Sequence, residues 1–288
     1  MLIDVVPRKY LPKGEWNAFV ERHEHGWWFH TEWWIDYALA YSSGSVDKSM
    51  AYLDMGRVVG VAPRVTRSDL DVYGGQHLVA PLLDPSVIGV VPVSVVPAVT
   101  RPGHIYGCHY MDTSVVDLRG KEDADLWRGL RRSYHALIHQ TERKVDVALC
   151  GGGDQSRTDV LIRKAQGIHV EASGRVTRSG ETWRRQSDWL ADGNAVLALA
   201  YRGDQPLAFA YTIRWKNWAY YASSASLEPS ISHLLIWNTM QVLRADGRTE
   251  YFELGHLAHD DEGEKAKGIA FFKKGFGGSS WPIYRVTA

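Results

Sequence analysis

The chain has 288 residues, enough for one large domain or two of ordinary size. Hydrophobic residues make up 45% of it, which excludes a disordered chain, and the balance of 33 basic and 33 acidic residues excludes a protein that coats nucleic acid by charge alone. With only two cysteines, Cys108 and Cys150, a disulfide framework is not expected. Residues 1–16 lack the apolar core of a signal peptide, so the expected compartment is the cytoplasm.

Helices and short strands alternate through the first half of the chain. Residues 29–39 predict a helix opened by Thr31, and a hairpin with its turn at Gly56 follows. Residues 113–118 favour a strand. A linker helix at about 121–142 carries apolar residues at three- and four-residue spacing, which is typical of a helix with one buried face.

The second half repeats this order of elements. Residues 179–190 predict a helix, and two strands then flank a turn at Gly203. After a third strand, residues 232–247 predict another helix. A strand at 251–255, a helix at 262–274 and a final strand complete the pattern.

The similarity of the two halves indicates an internal duplication. In each half a helix with a tryptophan, Trp33 or Trp183, precedes a hairpin. Helices that alternate with mostly antiparallel strands predict an α/β or α+β architecture. We expect an N-terminal domain at 1–150, which includes the linker helix, and a C-terminal domain at 151–288, which carries the main site.

Three segments of the sequence resemble a known family. Residues 113–148 place a strand ending in Asp-Leu before a helix with a basic run, residues 174–183 read GRVTRSGETW, and residues 267–278 read KGIAFFKKGFGG. These segments resemble the FemAB-type aminoacyltransferases, within the GNAT-like acyltransferases, in the branch associated with bacterial surface-sugar biosynthesis. The resemblance implies two tandem GNAT-like domains, each with a mixed, mostly antiparallel sheet flanked by helices.

The resemblance also implies a reaction, in which an activated acyl group moves onto an amine of a cell-envelope amino-sugar or sugar-nucleotide precursor. The donor stays open between acyl-CoA and aminoacyl-tRNA, because residues 224–232 lack the Arg/Gln-x-x-Gly-x-Gly loop of acetyl-CoA enzymes. Either donor is a co-substrate, with no tightly bound cofactor, and the balanced charge mildly disfavours tRNA. The alternative function is a non-catalytic, degenerate GNAT-fold module that binds a sugar nucleotide or a partner enzyme.

Four residues are candidates for the chemistry. Lys273 occupies the aromatic-Lys position of the family, where an ammonium can stabilise an oxyanion or hold an anionic group of the donor; otherwise it is a cation at a helix C-terminus. Tyr221 and His233 bracket the strand-to-helix opening where the resemblance places the donor carbonyl, and a histidine titrates near the working pH. Glu253 alternates with apolar neighbours, so its carboxylate can face a cleft and accept the amine proton, or pair with a lysine.

Five further residues are candidates for substrate binding. Arg175 and Arg178 precede a helix start, a position that suits a phosphate or pyrophosphate. Trp183 can stack on a sugar or base, although a tryptophan is more often part of a core. Tyr220 borders the same opening as its neighbouring tyrosine, and Lys274 is the second lysine of the aromatic-Lys segment.

No metal site is expected from the sequence. The histidine pair at 135 and 139 and the segment 256–260 both lack the further ligands that a zinc site needs. The glycine run at 151–153 likewise lacks the lysine of a phosphate-binding loop.

Overall fold

The structure is a computed structural model that describes residues 3–41, 43–66, 81–87, 108–258 and 263–286. The chain forms two compact units, the first made of residues 1–109 and 284–288 and the second of residues 110–283. Within the described ranges, no helix combines the length and the apolar character needed to cross a bilayer.

The first unit is built on a small antiparallel sheet. Its strands are β1 (Ile3–Pro7), β2 (Val46–Asp47), β3 (Met50–Asp54), β4 (Arg57–Ala62), β5 (Val65–Thr66) and β6 (Leu82–Leu83). The sheet has the order β1-β3-β4-β6, and β2 and β5 form a separate pair. Its helices are α1 (Glu15–Arg22) and α2 (Glu32–Tyr41), with 3-10 turns at Arg8–Tyr10, Trp28–His30 and Pro85–Val87. Thr31 opens α2 as expected, since its Oγ1 accepts from the Trp34 N–H at 3.2 Å.

The second unit is built on a seven-stranded sheet. Its strands are β7 (Cys108–Asp117), β8 (Asp146–Cys150), β9 (Ala195–Arg202), β10 (Gln205–Trp215), β11 (Trp218–Ser226), β12 (Tyr251–Leu257) and β13 (Ser279–Val286). Its helices are α3 (Asp123–Gly129), α4 (Arg132–Glu142), α5 (Gln155–Ser173), α6 (Gly180–Ala191), α7 (Ile231–Ala245) and α8 (Glu264–Lys274). The strand order is β13-β7-β12-β11-β10-β9-β8, and β11 and β12 run parallel.

The linker segment differs from the expectation in two ways. Two helices, α3 and α4, replace the single helix at 121–142, because Leu130 is extended with φ −66° and ψ 147°. The break follows Gly129, a poor helix residue, whose carbonyl oxygen would lie 2.7 Å from a Cβ on Gly277. The division of the chain at 109/110 also precedes the expected boundary at 150, since β8 pairs with β9 in the sheet of the second unit.

The two faces of the seven-stranded sheet differ in character. One face is apolar and includes Ala219, Phe252 and Leu254 in a core shared with α3, α4 and α7. Side chains alternate between the faces of a strand, so Tyr220 and Glu253 point to the opposite face. The alternation of side chains along β11 and β12 therefore places polar and titratable groups of both strands on the same face of the sheet.

Strands β11 and β12 stay together over only three residue pairs. Their parallel pairing runs from Trp218 opposite Tyr251 to Tyr220 opposite Glu253. Beyond this point β11 continues to Ser226, while β12 passes through an irregularity after Glu253 and pairs with β7. The strands thus separate just after Tyr220 and Glu253, which is the kind of opening that the resemblance implied.

Candidate active site

Three titratable side chains, the buried Tyr220 and Glu253 and the half-buried Lys273, converge where β11 and β12 separate. Lys273, in the last turn of α8, donates from its ammonium to the His256 carbonyl oxygen at 2.9 Å. A Cβ placed on Gly255 would lie 3.3 Å from Lys273 Nζ and 3.4 Å from Tyr220 Oη. Glu253 is the register partner of Tyr220 on the same face of the sheet. A carboxyl, an ammonium and a phenol therefore surround one point.

Gly255 makes this convergence possible. Its φ of 85° lies in the left-handed region, which glycine adopts without strain. A side chain at this position would meet the ammonium of Lys273 and the hydroxyl of Tyr220 at the distances just given, and the ring of Tyr220 at 3.5 Å. The glycine therefore lets the Lys273 ammonium and the Tyr220 hydroxyl both lie close to the backbone of β12.

The environment of Glu253 brings its ionisation close to neutral pH. Burial raises the pKa of Glu253 to about 6, and a hydrogen bond from Thr113 and the charge of Lys273 oppose that effect. Thr113 Oγ1 donates to Glu253 Oε1 at 2.8 Å, and Glu253 is only 8% exposed. A carboxyl with such a pKa can take and return a proton at working pH, as a general base must.

Lys273 and Tyr220 supply donors beside this carboxyl. Burial lowers the pKa of Lys273 to about 8, and the Glu253 carboxylate opposes the shift. The ammonium bonds to a carbonyl oxygen rather than to Glu253, so the two charges are not neutralised in a direct ion pair. Burial and the Glu253 charge both raise the pKa of Tyr220, which keeps its hydroxyl protonated. This set can accept a proton and stabilise a developing oxyanion.

The glycines after Lys273 are a steric requirement of the packing. A Cβ on Gly275 would lie 2.2 Å from the ring of Tyr134. One on Gly278 would lie 2.6 Å from Ser114 Oγ. Since protein interiors are close-packed, a side chain at either position would displace its neighbour and the end of α8 with it.

Two of the predicted catalytic residues lie in other surroundings. Tyr221 faces the opposite side of β11 from Tyr220 and packs against the apolar core, where burial raises its pKa to about 12. His233, in the first turn of α7, has Nδ1 3.2 Å from the Ser230 carbonyl oxygen. Its ring packs edge-on to Tyr134 with centroids 4.4 Å apart, and burial lowers its pKa. These contacts make His233 a neutral packing group.

Arg178, one of the predicted binding residues, is held in place by contacts with two other side chains. Its guanidinium lies 3.8 Å from the centroid of the Trp183 ring and donates to Ser223 Oγ at 3.0 Å. Trp183 is only 3% exposed, so it supports Arg178 from within the core. Arg175 and Lys274 are exposed.

Sequence reasoning missed Thr113, Gly255 and Tyr134. Alternation along β7 puts Thr113 and Val115 on one face, which is a signal within reach of the sequence. The pairing of β7 with β12, which brings Thr113 to Glu253, is a contact between distant segments that a single sequence does not reveal.

Comparison with known proteins agrees with this fold. Residues 128–266 match the family model for the acetyltransferase (GNAT) domain. The whole chain is similar to a crystal structure of FemX, at 13% identity and a TM-score of 0.59, with 100% of this chain and 98% of that chain covered. It is also similar to a tandem GNAT protein from the clavulanic acid biosynthesis pathway, at 13% identity and a TM-score of 0.52, with 98% and 97% covered. No curated protein matches the chain.

These similarities confirm the fold class expected from the sequence. Both structures align over nearly the whole chain, and the second is itself a tandem GNAT protein. Two tandem GNAT-like domains account for both units, with an antiparallel sheet in the described part of the first and a mixed, mostly antiparallel sheet in the second.

Proposed function

Because residues 128–266 match the family model for the acetyltransferase (GNAT) domain, we propose that this acyltransferase moves an acyl or aminoacyl group to the amine of a cell-envelope amino-sugar or sugar-nucleotide precursor. The observation that carries this reaction is the convergence of Lys273, Glu253 and Tyr220 where β11 and β12 separate. Acyl transfer to an amine needs one proton acceptor and donors for an oxyanion, and these three side chains are of those types.

The proposed chemistry assigns one role to each group. As the neutral amine attacks the acyl carbonyl, a C–N bond forms and the Glu253 carboxylate takes the proton that the nitrogen loses. The carbonyl oxygen becomes an oxyanion, to which the Lys273 ammonium and the Tyr220 hydroxyl donate. Collapse breaks the bond to the sulfur or oxygen of the donor, and that atom takes the proton back from Glu253.

The start of α7 bears on the choice of donor. A helix N-terminus ordinarily favours an anion, which would suit the pyrophosphate of an acyl-CoA. Here the preceding loop carries Glu228, which accepts from Arg202 at 2.7 Å, and Pro229, which has no N–H to donate. The N–H of Leu227 is already bonded to the Leu207 carbonyl oxygen at 2.9 Å. This loop therefore offers a pyrophosphate fewer N–H donors than an ordinary helix start, and the donor stays open between acyl-CoA and aminoacyl-tRNA.

A truncated donor separates these two possibilities. If acyl-CoA is the donor and its pyrophosphate is bound, an acyl-pantetheine that lacks this group should have a much higher KM than the acyl-CoA. If the start of α7 does not bind pyrophosphate, the two thioesters should have similar KM values, and transfer from aminoacyl-tRNA is then the measurement to compare with them.

The surroundings of Arg178 support an acceptor that carries a phosphate. Ser223, its hydrogen-bond partner, pairs with Tyr211, and Tyr220 pairs with Ile213, two residues further along β10. Ser223 and Tyr220 are three residues apart on β11, but the register shift between Tyr211 and Thr212 sets them opposite β10 positions two residues apart, which share a face and lie about 7 Å apart. An acceptor with its amine at Glu253 can therefore place a phosphate within reach of Arg178, as an amino-sugar phosphate would.

The test of the proposed reaction is transfer by the purified protein, with wild type compared with Lys273→Ala. Loss of an oxyanion donor is expected to lower kcat about 10²–10³-fold. Lys265→Ala is the matched control, because Lys265 is an exposed lysine of the same helix. Equal turnover by wild type and Lys273→Ala would remove Lys273 from the mechanism.

The other candidate function, a non-catalytic module that binds a sugar nucleotide, is supported by the same loop before α7. One result would favour the module over the enzyme: wild type binds a sugar nucleotide, Arg178→Ala does not, and no transfer occurs from acyl-CoA, acyl-pantetheine or aminoacyl-tRNA.

A further inference from the structure

The helix that carries the site ammonium ends against the first turn of α4. The Arg131 N–H donates to the Gly275 carbonyl oxygen at 2.8 Å, and Arg131 Nη2 donates to the Phe271 carbonyl oxygen at 2.9 Å. The Tyr134 hydroxyl donates to the Phe272 carbonyl oxygen at 2.9 Å. The Phe272 carbonyl oxygen also accepts from the Gly275 N–H at 3.1 Å, so the donors from Arg131 and Tyr134 add to the few that the end of a helix supplies to its own last carbonyls.

Packing reinforces these hydrogen bonds. The guanidinium carbon of Arg131 lies 3.6 Å from the centroid of the Phe271 ring. The ring of Tyr134 fills the place that a side chain on Gly275 would need. The Tyr134 ring also packs edge-on to His233, which in turn packs edge-on to Phe272 with centroids 4.9 Å apart. The final turn of α8 is thus held on several sides at once.

We propose that Arg131 and Tyr134 are positioning residues for Lys273, which hold the last turn of α8 so that the ammonium stays in the site. The inference rests on the proposed function, because otherwise the same contacts only cap a helix. A lysine side chain is flexible and its ammonium is strongly hydrated, so it leaves a buried site readily unless its backbone is fixed. Residues 271, 272 and 275, which α4 holds, flank Lys273 directly.

The ionisation of Lys273 reports on this positioning. In the site its pKa is lowered to about 8 by burial. If the final turn loosens and the ammonium reaches water, that effect is lost and the pKa rises toward its ordinary value. The titratable and charged groups around this turn are Glu253, Tyr220, His256, Arg131, Tyr134, His233 and Lys274.

Two variants test the proposal without removing the site. Tyr134→Phe deletes only the hydroxyl, and Arg131→Gln deletes the stacked guanidinium. Arg132→Gln is the control, because Arg132 is the next arginine along and is exposed. For both test variants we expect kcat to fall about tenfold, which corresponds to roughly 1.4 kcal/mol in the barrier, while the control keeps wild-type kcat.

The decisive readout is the pKa of Lys273 itself, measured by trace acetylation of lysines across pH with detection by mass spectrometry. The proposal predicts a value near 8 in wild type and in the Arg132→Gln control, and a higher value in both test variants. An unchanged Lys273 pKa with only a lower melting temperature would mean that α4 merely stabilises the fold, and would overturn the proposal. This measurement needs no turnover, so it stays informative even if no donor is transferred and the proposed reaction itself fails.

Discussion

Each unit of the molecule partly buries a cation near carboxyl groups, and the surroundings shift the pKa values of the two cations in opposite directions. In the first unit, Arg8 lies 2.7 Å from Asp47, 2.9 Å from Asp36 and 3.5 Å from Glu32. Burial opposes the charge, but the hydrogen bonds and charges of these partners outweigh it and raise the pKa of Arg8. In the second unit, Lys273 bonds to a carbonyl oxygen, and burial lowers its pKa.

This difference separates a structural cation from a reactive one. Arg8 is surrounded by acceptors, so its donors are used within the fold. Lys273 and Glu253 lie together without a direct ion pair, and burial moves the pKa of each toward neutrality. Perturbed ionisation of this kind is typical of functional sites, where stability is traded for reactivity.

Glu253→Gln should give the largest effect on activity. The substitution keeps the size of the side chain but removes the proton acceptor, so kcat should fall about 10²–10⁴-fold. Single-turnover measurements with excess enzyme would isolate the chemical step. An acyl-transfer rate within a factor of three of wild type would exclude Glu253 as the base.

The same variant should be more stable than wild type at alkaline pH. The pKa of Glu253 is raised on folding, so the stability that this group contributes is present at low pH and is lost as pH rises through about 6. At about pH 8 the glutamine variant should therefore unfold with a free energy higher by on the order of 1 kcal/mol, and the difference should vanish near pH 4. Denaturant titrations at both pH values would check this, and a less stable variant at pH 8 would contradict the strained state of the site.

Arg8→Leu should lower the stability of the protein and leave its activity unchanged, the reverse of what Glu253→Gln should do. It leaves three partly exposed carboxylates without their cation, and the loss of stability should be about 1–3 kcal/mol, below the cost of breaking a fully buried pair because solvent screens these charges. Transfer by the folded fraction should be unchanged, because Arg8 belongs to the first unit and all three site residues to the second. A small loss of stability would mean that Arg8 is less important to the fold than its contacts indicate.

Arg178→Ala should have a smaller and more selective effect. Loss of a phosphate partner should raise the acceptor KM about tenfold with little change in kcat, since a charge-assisted hydrogen bond contributes roughly 1.5–3 kcal/mol. Arg175→Ala, which removes an exposed arginine of the same loop, should behave as wild type. If both variants raise the acceptor KM equally, the loop attracts the acceptor through its total positive charge, and the stacking of Arg178 on Trp183 has no special role.

Much of the site could be predicted from the sequence, and the missing part has a physical reason. The KKGFGG segment pointed to Lys273, and alternation along β12 pointed to Glu253. Tyr220 and Tyr221 are adjacent, so one of them had to face the apolar core, but the covering helix α7 decides which one. That choice depends on packing between distant segments, so it cannot be predicted from the two tyrosines themselves.

The fold shows the same division between local and distant information. The helices and strands of the second half follow from periodicity and turn residues within single segments. The break after Gly129 depends on the close approach of Gly277, far along the chain, so the local pattern predicted one continuous helix. Positioning by Tyr134 likewise becomes visible only when α4 and α8 meet.

Thr113→Val should give the smallest of these effects. It removes the hydrogen bond that opposes the raised pKa of Glu253, so that pKa should rise further. The acidic limb of kcat/KM should move to higher pH by on the order of one unit or less, as expected for one hydrogen bond to a charged group. Thr141→Val is a matched control, because the Thr141 hydroxyl donates to the Leu137 carbonyl oxygen within α4.

The pH dependence of kcat/KM in the wild-type protein is the most direct test of a buried acid and a buried base that share one site. The rate constant should rise through about pH 6 as Glu253 loses its proton, and should fall through about pH 8 as Lys273 loses its own. A rate constant that stays level across this range, or that keeps rising well above pH 8, would contradict the assignment of both groups.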